Sequence, residues 1–302
     1  MSAKPGYLLL AQTGVLKKRS QHAKKLMVSC RLCPHLCEVN RANGEKGICM
    51  AGDSVLVSSV IPHFGEEEVL VGKKGSGTIF FGFCNLKCVF CQNYELSRYG
   101  EGHEVTIEQL ASAMLQLQNI GCHNINFVSP THFAAQIIQA VSIAADNGLN
   151  IPIVYNTGGF DTVETLKLLD GIVDIYMPDV KFAEEDKAFK YLRVKGYPLA
   201  MKEAIKEMHR QVGDLKIDEN GLAYSGLLVR HLVMPGGLAG TKEIMNFLAQ
   251  EISPNTYVNI MGQYQPCFMA QEFPELNRPT SRKELSEAVR IAREAGLERI
   301  IF

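Results

Sequence analysis

From about residue 78 onward the chain alternates between short apolar runs and amphipathic stretches. TIFFGF (78–83) predicts a buried strand, and a cysteine-bearing loop follows it. Thr106-Ile107-Glu108-Gln109 has the spacing of a capping box. Ile107, Leu110, Met114 and Leu117 then share one helical face, and Gly121 ends that helix. NINFVS (124–129) predicts the next strand, with a helix from about Thr131 to Asn147 closed by Gly148. IPIVYNT (151–157) is a third strand, and Asp161-Thr162-Val163-Glu164 opens the helix after it; IVDIYMPDV (172–180) is a fourth. Residues 193–225 are less regular and hold one basic helix, at about 200–212. GLLVRHLVMP (226–235) and TYVNIMG (256–262) continue the series, Ser281-Arg282-Lys283-Glu284 caps the final helix, and ERIIF (298–302) is a last short strand.

Strand–helix units joined by short loops imply a parallel sheet with helices outside it, because right-handed crossovers permit little else. Six or seven such units are too few for a closed eight-fold barrel. The expected fold is therefore α/β, a partial (β/α)6-type TIM barrel over residues 78–302. Residues 1–77 lack the alternation and are rich in Gly, Cys and charge, so they predict a small cysteine-rich metal-binding module and a link.

Composition narrows the function classes. With 46% hydrophobic residues and a formal net charge of −1, the chain reads as an ordinary soluble globular protein. Phosphate binding usually leaves a basic footprint, so nucleic acid is not expected as the main partner. The first twenty residues have no signal-peptide core and no 18-residue apolar run occurs, so no membrane span is expected. The nine cysteines are expected as thiols or metal ligands in a reducing cytoplasm, not as disulfides.

Three of those cysteines, Cys84, Cys88 and Cys91, lie in CNLKCVFCQN just after the first predicted strand. Loops at the carboxyl ends of barrel strands build active sites, so the run is expected there. A zinc knot needs four protein ligands, and the nearest fourth candidate, His103, lies in a polar loop. An iron–sulfur cube usually takes one thiolate per iron, so three cysteines leave one iron open to a small molecule. Phe90 supplies apolar cover.

C-x3-C-x-aromatic-C on the first βα loop resembles the radical S-adenosylmethionine (SAM) superfamily. The likeness is greatest to relatives of pyruvate formate-lyase activating enzyme, and runs from about Cys30 onward. The resemblance implies a 4Fe-4S cluster on Cys84, Cys88 and Cys91, with SAM on its open iron. It implies reductive SAM cleavage to a 5′-deoxyadenosyl radical that takes a hydrogen atom, by analogy from a glycine of a partner glycyl radical enzyme. A reductant such as flavodoxin or ferredoxin would supply the electron. An iron–sulfur electron-transfer or metal-scaffold protein is the competing reading, as is radical modification of another peptide, RNA or small molecule.

The family's other ligand contacts carry over unevenly. Its Gly-Gly-Glu segment is replaced by Ser129-Pro130-Thr131-His132, where Thr131 or His132 would meet the SAM amino group and Thr131 is equally placed to cap its helix. Its Asp-Thr-Asn-Gly segment becomes Asn156-Thr157-Gly158-Gly159. Asp179-Val180-Lys181 matches the family's Asp-Leu-Lys, and Lys181 would meet the SAM carboxylate. On the fifth strand either Arg230 or His231 faces inward, and the family match favours Arg230. Asn259 and Gln263 are substrate contacts or satisfied polar groups.

A second set, Cys30, Cys33, Cys37 and Cys49, has C-x2-C-x3-C-x11-C spacing. Four thiolates are a closed set that suits structural zinc or an auxiliary iron–sulfur cluster, and its completeness leans toward zinc. His35 within it is a candidate substitute ligand but is expected to be exposed. HFGEEEV (63–69) reads as a solvated acidic face or a hold for a basic partner loop. VGKKGSG (71–77) lacks the spacing of a phosphate loop. Cys122 is expected to be a core residue, and Cys267 the better candidate for a role.

Overall fold

Each apolar run from residue 78 onward forms a strand of one sheet in the computed structural model, which describes residues 4–302. The amino-terminal part holds α1 (Gly6–Gln12), α2 (Val15–Lys25), β1 (Val55–His63), α3 (Glu68–Val71) and β2 (Ser76–Phe81). β3 (His103–Val105), α4 (Ile107–Ile120), β4 (Ile125–Val128), α5 (Ala134–Asp146), β5 (Ile153–Thr157) and α6 (Val163–Leu169) follow. β6 (Ile175–Val180), α7 (Glu185–Leu192), α8 (Tyr197–Val212), β7 (Lys216–Ile217) and β8 (Ala223–Leu232) come next. The carboxyl-terminal part is α9 (Thr241–Phe247), β9 (Tyr257–Met261), α10 (Arg282–Glu294) and β10 (Arg299–Ile301).

Seven strands pair in parallel in the order β2-β4-β5-β6-β8-β9-β10, and the helices between them cover the outside. β1 and β3 extend the β2 side in antiparallel pairing, and the sheet does not close among the described residues. The partial barrel expected from the pattern is the architecture found. Helix starts follow their local chemistry. Thr106 with Gln109 and Ser281 with Glu284 form complete capping boxes, and Thr162 caps α6 through the Thr165 N–H.

The alternation of side chains along each strand separates two apolar zones. Phe127, Tyr155, Tyr176 and Val229 face the helices in the main core. Val154, Ile175, Met177 and Leu228 face the barrel interior and pack around Leu70 of α3. β1 runs antiparallel to β2 and places His63 opposite Ser76, so the loop after it leaves at the amino-terminal end of the parallel strands. From there residues 64–71 turn into the interior, where the Leu70 carbonyl accepts from Asn124 Nδ2 at 2.9 Å.

The division expected at residue 77 falls within β2, and the chain before it is tied closely to the barrel. The β1 ladder spans Val57 to His63, and α1 and α2 pack on α5. Asp174 anchors α1 by accepting the Gly6 N–H at 2.9 Å, while its second oxygen accepts the Ile153 N–H at 2.9 Å. Tyr7 adds a hydrogen bond to the Ile151 carbonyl at 2.9 Å.

Leu70 is fully buried at the centre of the interior cluster. Leu70→Ala is expected to cost about 2–5 kcal/mol of unfolding free energy, the range for a buried leucine that leaves a cavity. A urea titration measures it, and an unchanged midpoint would mean that residues 64–71 do not hold the barrel together.

Candidate active site

Gly82 and Phe83 leave the end of β2, and Phe83 turns into the left-handed region at φ 64°. The loop that follows carries Cys84, Cys88 and Cys91 and is pinned by backbone hydrogen bonds. Lys87 N–H donates to the Leu192 carbonyl at 3.0 Å, and Val89 N–H donates to the Tyr191 carbonyl at 2.9 Å. Cys84 Sγ accepts the Leu86 N–H at 3.4 Å, and Cys91 Sγ lies 3.2 Å from Ser97 Oγ. Phe90 is buried against Phe182 and Tyr264, which seals the loop from below.

All three cysteines line one cavity of ≈ 400 Å³ at the carboxyl ends of the strands. That size falls within the range of small-molecule sites. Burial pushes the Cys84 and Cys88 thiols up, and the nearby Lys181 ammonium only partly opposes this at Cys88. Holding Cys84 and Cys88 as thiolates therefore calls for a cation bound to the sulfurs.

Opposite the cysteines stands a group of charges built by adjacent strands. The register sets Asp179 of β6 beside Arg230 of β8. Arg230 Nε donates to Asp179 Oδ1 at 2.8 Å, its Nη2 to Asn156 Oδ1 at 2.8 Å, and its Nη1 to Glu66 Oε2 at 3.1 Å. Lys181 Nζ donates to the other Asp179 oxygen at 2.8 Å. Burial alone would raise the Asp179 pKa, but Arg230 and then Lys181 outweigh it and hold the carboxylate at about 2. Burial pushes the Glu66 carboxyl up, with Arg230 opposing. Beside this group Gly159 sits at φ 75°, where an added Cβ would come 3.0 Å from the Asp179 carbonyl, so the chain needs glycine there.

Of the residues singled out for SAM, the structure brings Asn156, Thr157, Asp179, Lys181 and Arg230 to the cavity that the three cysteines line. The Thr157 hydroxyl is turned away, donating to Asp161 Oδ2 at 2.6 Å. His231 points outward, between the Val180 carbonyl and Thr241 Oγ1. Thr131 and His132 are not at the cavity. Thr131 is 1% exposed, neither caps a helix nor faces ligand space, and pairs its hydroxyl with Thr157 at 3.1 Å. His132 turns to the opposite side, where Nε2 meets the Gly82 carbonyl at 2.9 Å and the ring borders the four-cysteine module. Gln263 lines the cavity, whereas Asn259 is taken up by Glu67. His103 is exposed on β3, away from the cysteines.

The glutamates of HFGEEEV are not a solvated face. Glu66 and Glu67 are 8% and 7% exposed, and only Glu68 faces solvent. Glu66 thus enters the cavity from the amino-terminal part of the chain, a contribution missed because three consecutive acids read as surface. The apolar Val69-Leu70-Val71 directly behind them is the signal that this segment turns inward. His35 was expected to be exposed; it is half-buried, with Nε2 2.8 Å from the Asn85 carbonyl.

The family model of the radical SAM superfamily matches residues 78–248, more than half of the chain. The chain belongs to the radical SAM superfamily. It is 33% identical over 295 residues to an uncharacterized protein of Methanocaldococcus jannaschii, covering 95% of this chain and 80% of that protein. Among solved structures it is similar to HydG, a maturase of the [FeFe]-hydrogenase, with a TM-score of 0.51 and 14% identity. That match covers 74% of this chain and 50% of the HydG chain. It is also similar to a radical SAM methyltransferase from Sphaerobacter thermophilus, with a TM-score of 0.51 and 16% identity over 74% of this chain and 65% of that chain. The chain spans less than two thirds of either solved relative, and at these identities the likeness is one of fold. Radical SAM proteins hold a 4Fe-4S cluster and SAM. Three thiols from a single loop, facing a cavity furnished with two cations, fit both. No helix of the described residues is long and apolar enough to cross a membrane.

Asp179 shares its two oxygens between two cations, so Asp179→Asn leaves Arg230 and Lys181 short of one charge. The side chains stay 15–21% exposed toward the cavity. The expected loss at pH 7 is therefore about 2–3 kcal/mol, below the roughly 3–5 kcal/mol of a wholly buried pair. A carboxylate pKa held below its ordinary value gives stability that is present above about pH 4 and lost as pH falls toward 2. The gap between wild type and variant should close over that window in urea titrations. A gap that stays constant to pH 2 would count against the pairing.

Proposed function

We propose that this radical SAM protein is an enzyme that reductively cleaves SAM at a 4Fe-4S cluster held by Cys84, Cys88 and Cys91, and that it takes a hydrogen atom from a glycine of a partner enzyme. The observation that carries the chemistry is the single cavity shared by those three thiols with Asp179, Lys181 and Arg230. When bound, the cluster and SAM supply one-electron cleavage of the sulfur–C5′ bond and a 5′-deoxyadenosyl radical that abstracts hydrogen.

The chain's own residues account for the rest. Cys84, Cys88 and Cys91 would hold the cluster and, being three, would leave it able to bind the methionine end of SAM. Lys181 and Arg230 offer the cations a carboxylate needs, with Asp179 orienting both. Glu66 and Asp179 are carboxylates that face the cavity, so a ligand amino group meets them instead of Thr131 or His132. Phe80, Phe81, Phe90 and Leu86 wall the apolar side, which protects a radical from water and bystander C–H bonds. The glycine substrate rests on the likeness of Asp179-Val180-Lys181 and the cysteine loop to activating enzymes.

Anaerobically reconstituted protein with dithionite and SAM is expected to release 5′-deoxyadenosine, and Cys88→Ala to release none. Absence of product from wild type with an intact cluster, even after cell extract is added to provide a partner, would overturn the proposal. Release of product with no glycyl radical formed on any added protein would remove the glycine substrate and keep the cleavage.

A further inference from the structure

The thiols of Cys30, Cys33, Cys37 and Cys49 ring one small cavity together with Arg41 and His132. Arg41 is 1% exposed and donates to the Gly52 carbonyl at 2.7 and 3.0 Å and to the His132 carbonyl at 2.6 Å. Its Nη1 then lies 3.9 Å from Cys30 Sγ. His132 adds a buried Nδ1 with no partner among the described residues.

Position bears on the choice between zinc and a redox cluster. His35 stands between Cys33 and Cys37, and Asn85 stands between Cys84 and Cys88. The two meet directly, His35 Nε2 to the Asn85 carbonyl at 2.8 Å. Asn85 Nδ2 donates to the Phe160 carbonyl at 2.7 Å, and the His35 ring packs edge-on to Phe160 at 5.2 Å, which fixes the contact. Lys87 lies within electrostatic reach of Cys49 on one side and of Cys84 and Cys88 on the other. A structural zinc knot would serve anywhere on the surface. This set is seated on the cluster loop through the His35–Asn85 contact, a placement that a redox cluster needs and a zinc knot does not.

Resting on the function proposed above, we infer that the four-cysteine set holds a redox-active iron–sulfur cluster, and that this cluster is the port through which electrons reach the site at Cys84, Cys88 and Cys91. One electron leaves a low-potential carrier protein, reduces the port cluster, passes to the second cluster and is consumed in breaking the sulfur–C5′ bond. The carrier is acidic: residues 4–29 contain Lys4, Lys17, Lys18, Arg19, Lys24 and Lys25 and no Asp or Glu.

The test compares wild type, a Cys84/Cys88/Cys91→Ala variant and a Cys30/Cys33→Ala variant, all reconstituted anaerobically with iron and sulfide. Wild type is expected to bind about eight irons per chain and each variant about four, one cube each. Reduced wild type should show an electron paramagnetic resonance spectrum broadened by coupling between neighbouring clusters, absent from both variants. About four irons together with one zinc in wild type would overturn the cluster without depending on how either variant folds. With an acidic carrier such as flavodoxin as donor, Cys30/Cys33→Ala should form 5′-deoxyadenosine at least about tenfold more slowly than wild type, while small-molecule dithionite narrows the gap. Equal rates with the carrier would overturn the port. Two clusters without any SAM cleavage would instead sink the function and leave the second cluster standing.

Discussion

The Arg230 guanidinium ties together the parts of the molecule that the chemistry needs. Through it β5 supplies Asn156, β6 supplies Asp179, and the amino-terminal loop supplies Glu66, all to one point in the cavity. A planar fork with five donors can hold three partners at once, which a lysine could not do in the same directions. Its charge is offset by two carboxylates, and Lys181 shares one of them. Four ionised groups inside a barrel are tolerable only because each has an opposite neighbour and the cavity mouth lets in water.

The parallel core was legible because its strands are buried on both faces and so appear as unbroken apolar runs, such as IPIVYNT and GLLVRHLVMP. The cysteine loop was legible because its spacing is rare. β1 and β3 were not seen. β1 mixes serines and a proline into its apolar positions, and β3 is three residues with two exposed. β1 depends on pairing with β2 and β3, and β3 on pairing with β1, partners that local pattern does not reveal.

The site was only partly readable, for a related reason. Asp179, Lys181 and Arg230 lie at strand ends, where alternation predicts direction. Thr131 and His132 follow Ser129, which takes a left-handed turn at φ 55° and sends the chain away from the cavity. Glu66 and Glu67 lie in a loop whose path is set by Leu70 seeking the barrel interior. Residue type alone suggested solvent, and the burial that overrules it comes from apolar neighbours several positions on.

The open sheet has a consequence beyond this cavity. In a closed barrel the floor of the site and the perimeter of the sheet belong to different strands and can drift apart over evolution. Here the antiparallel extension of one side, β2-β1-β3, also carries the segment that fills the interior and delivers Glu66. Any change in how that edge pairs shifts the cavity floor with it. Substitutions that reshape the cavity floor and substitutions that alter barrel packing therefore fall on the same few residues, 63 to 71, and neither kind comes without the other.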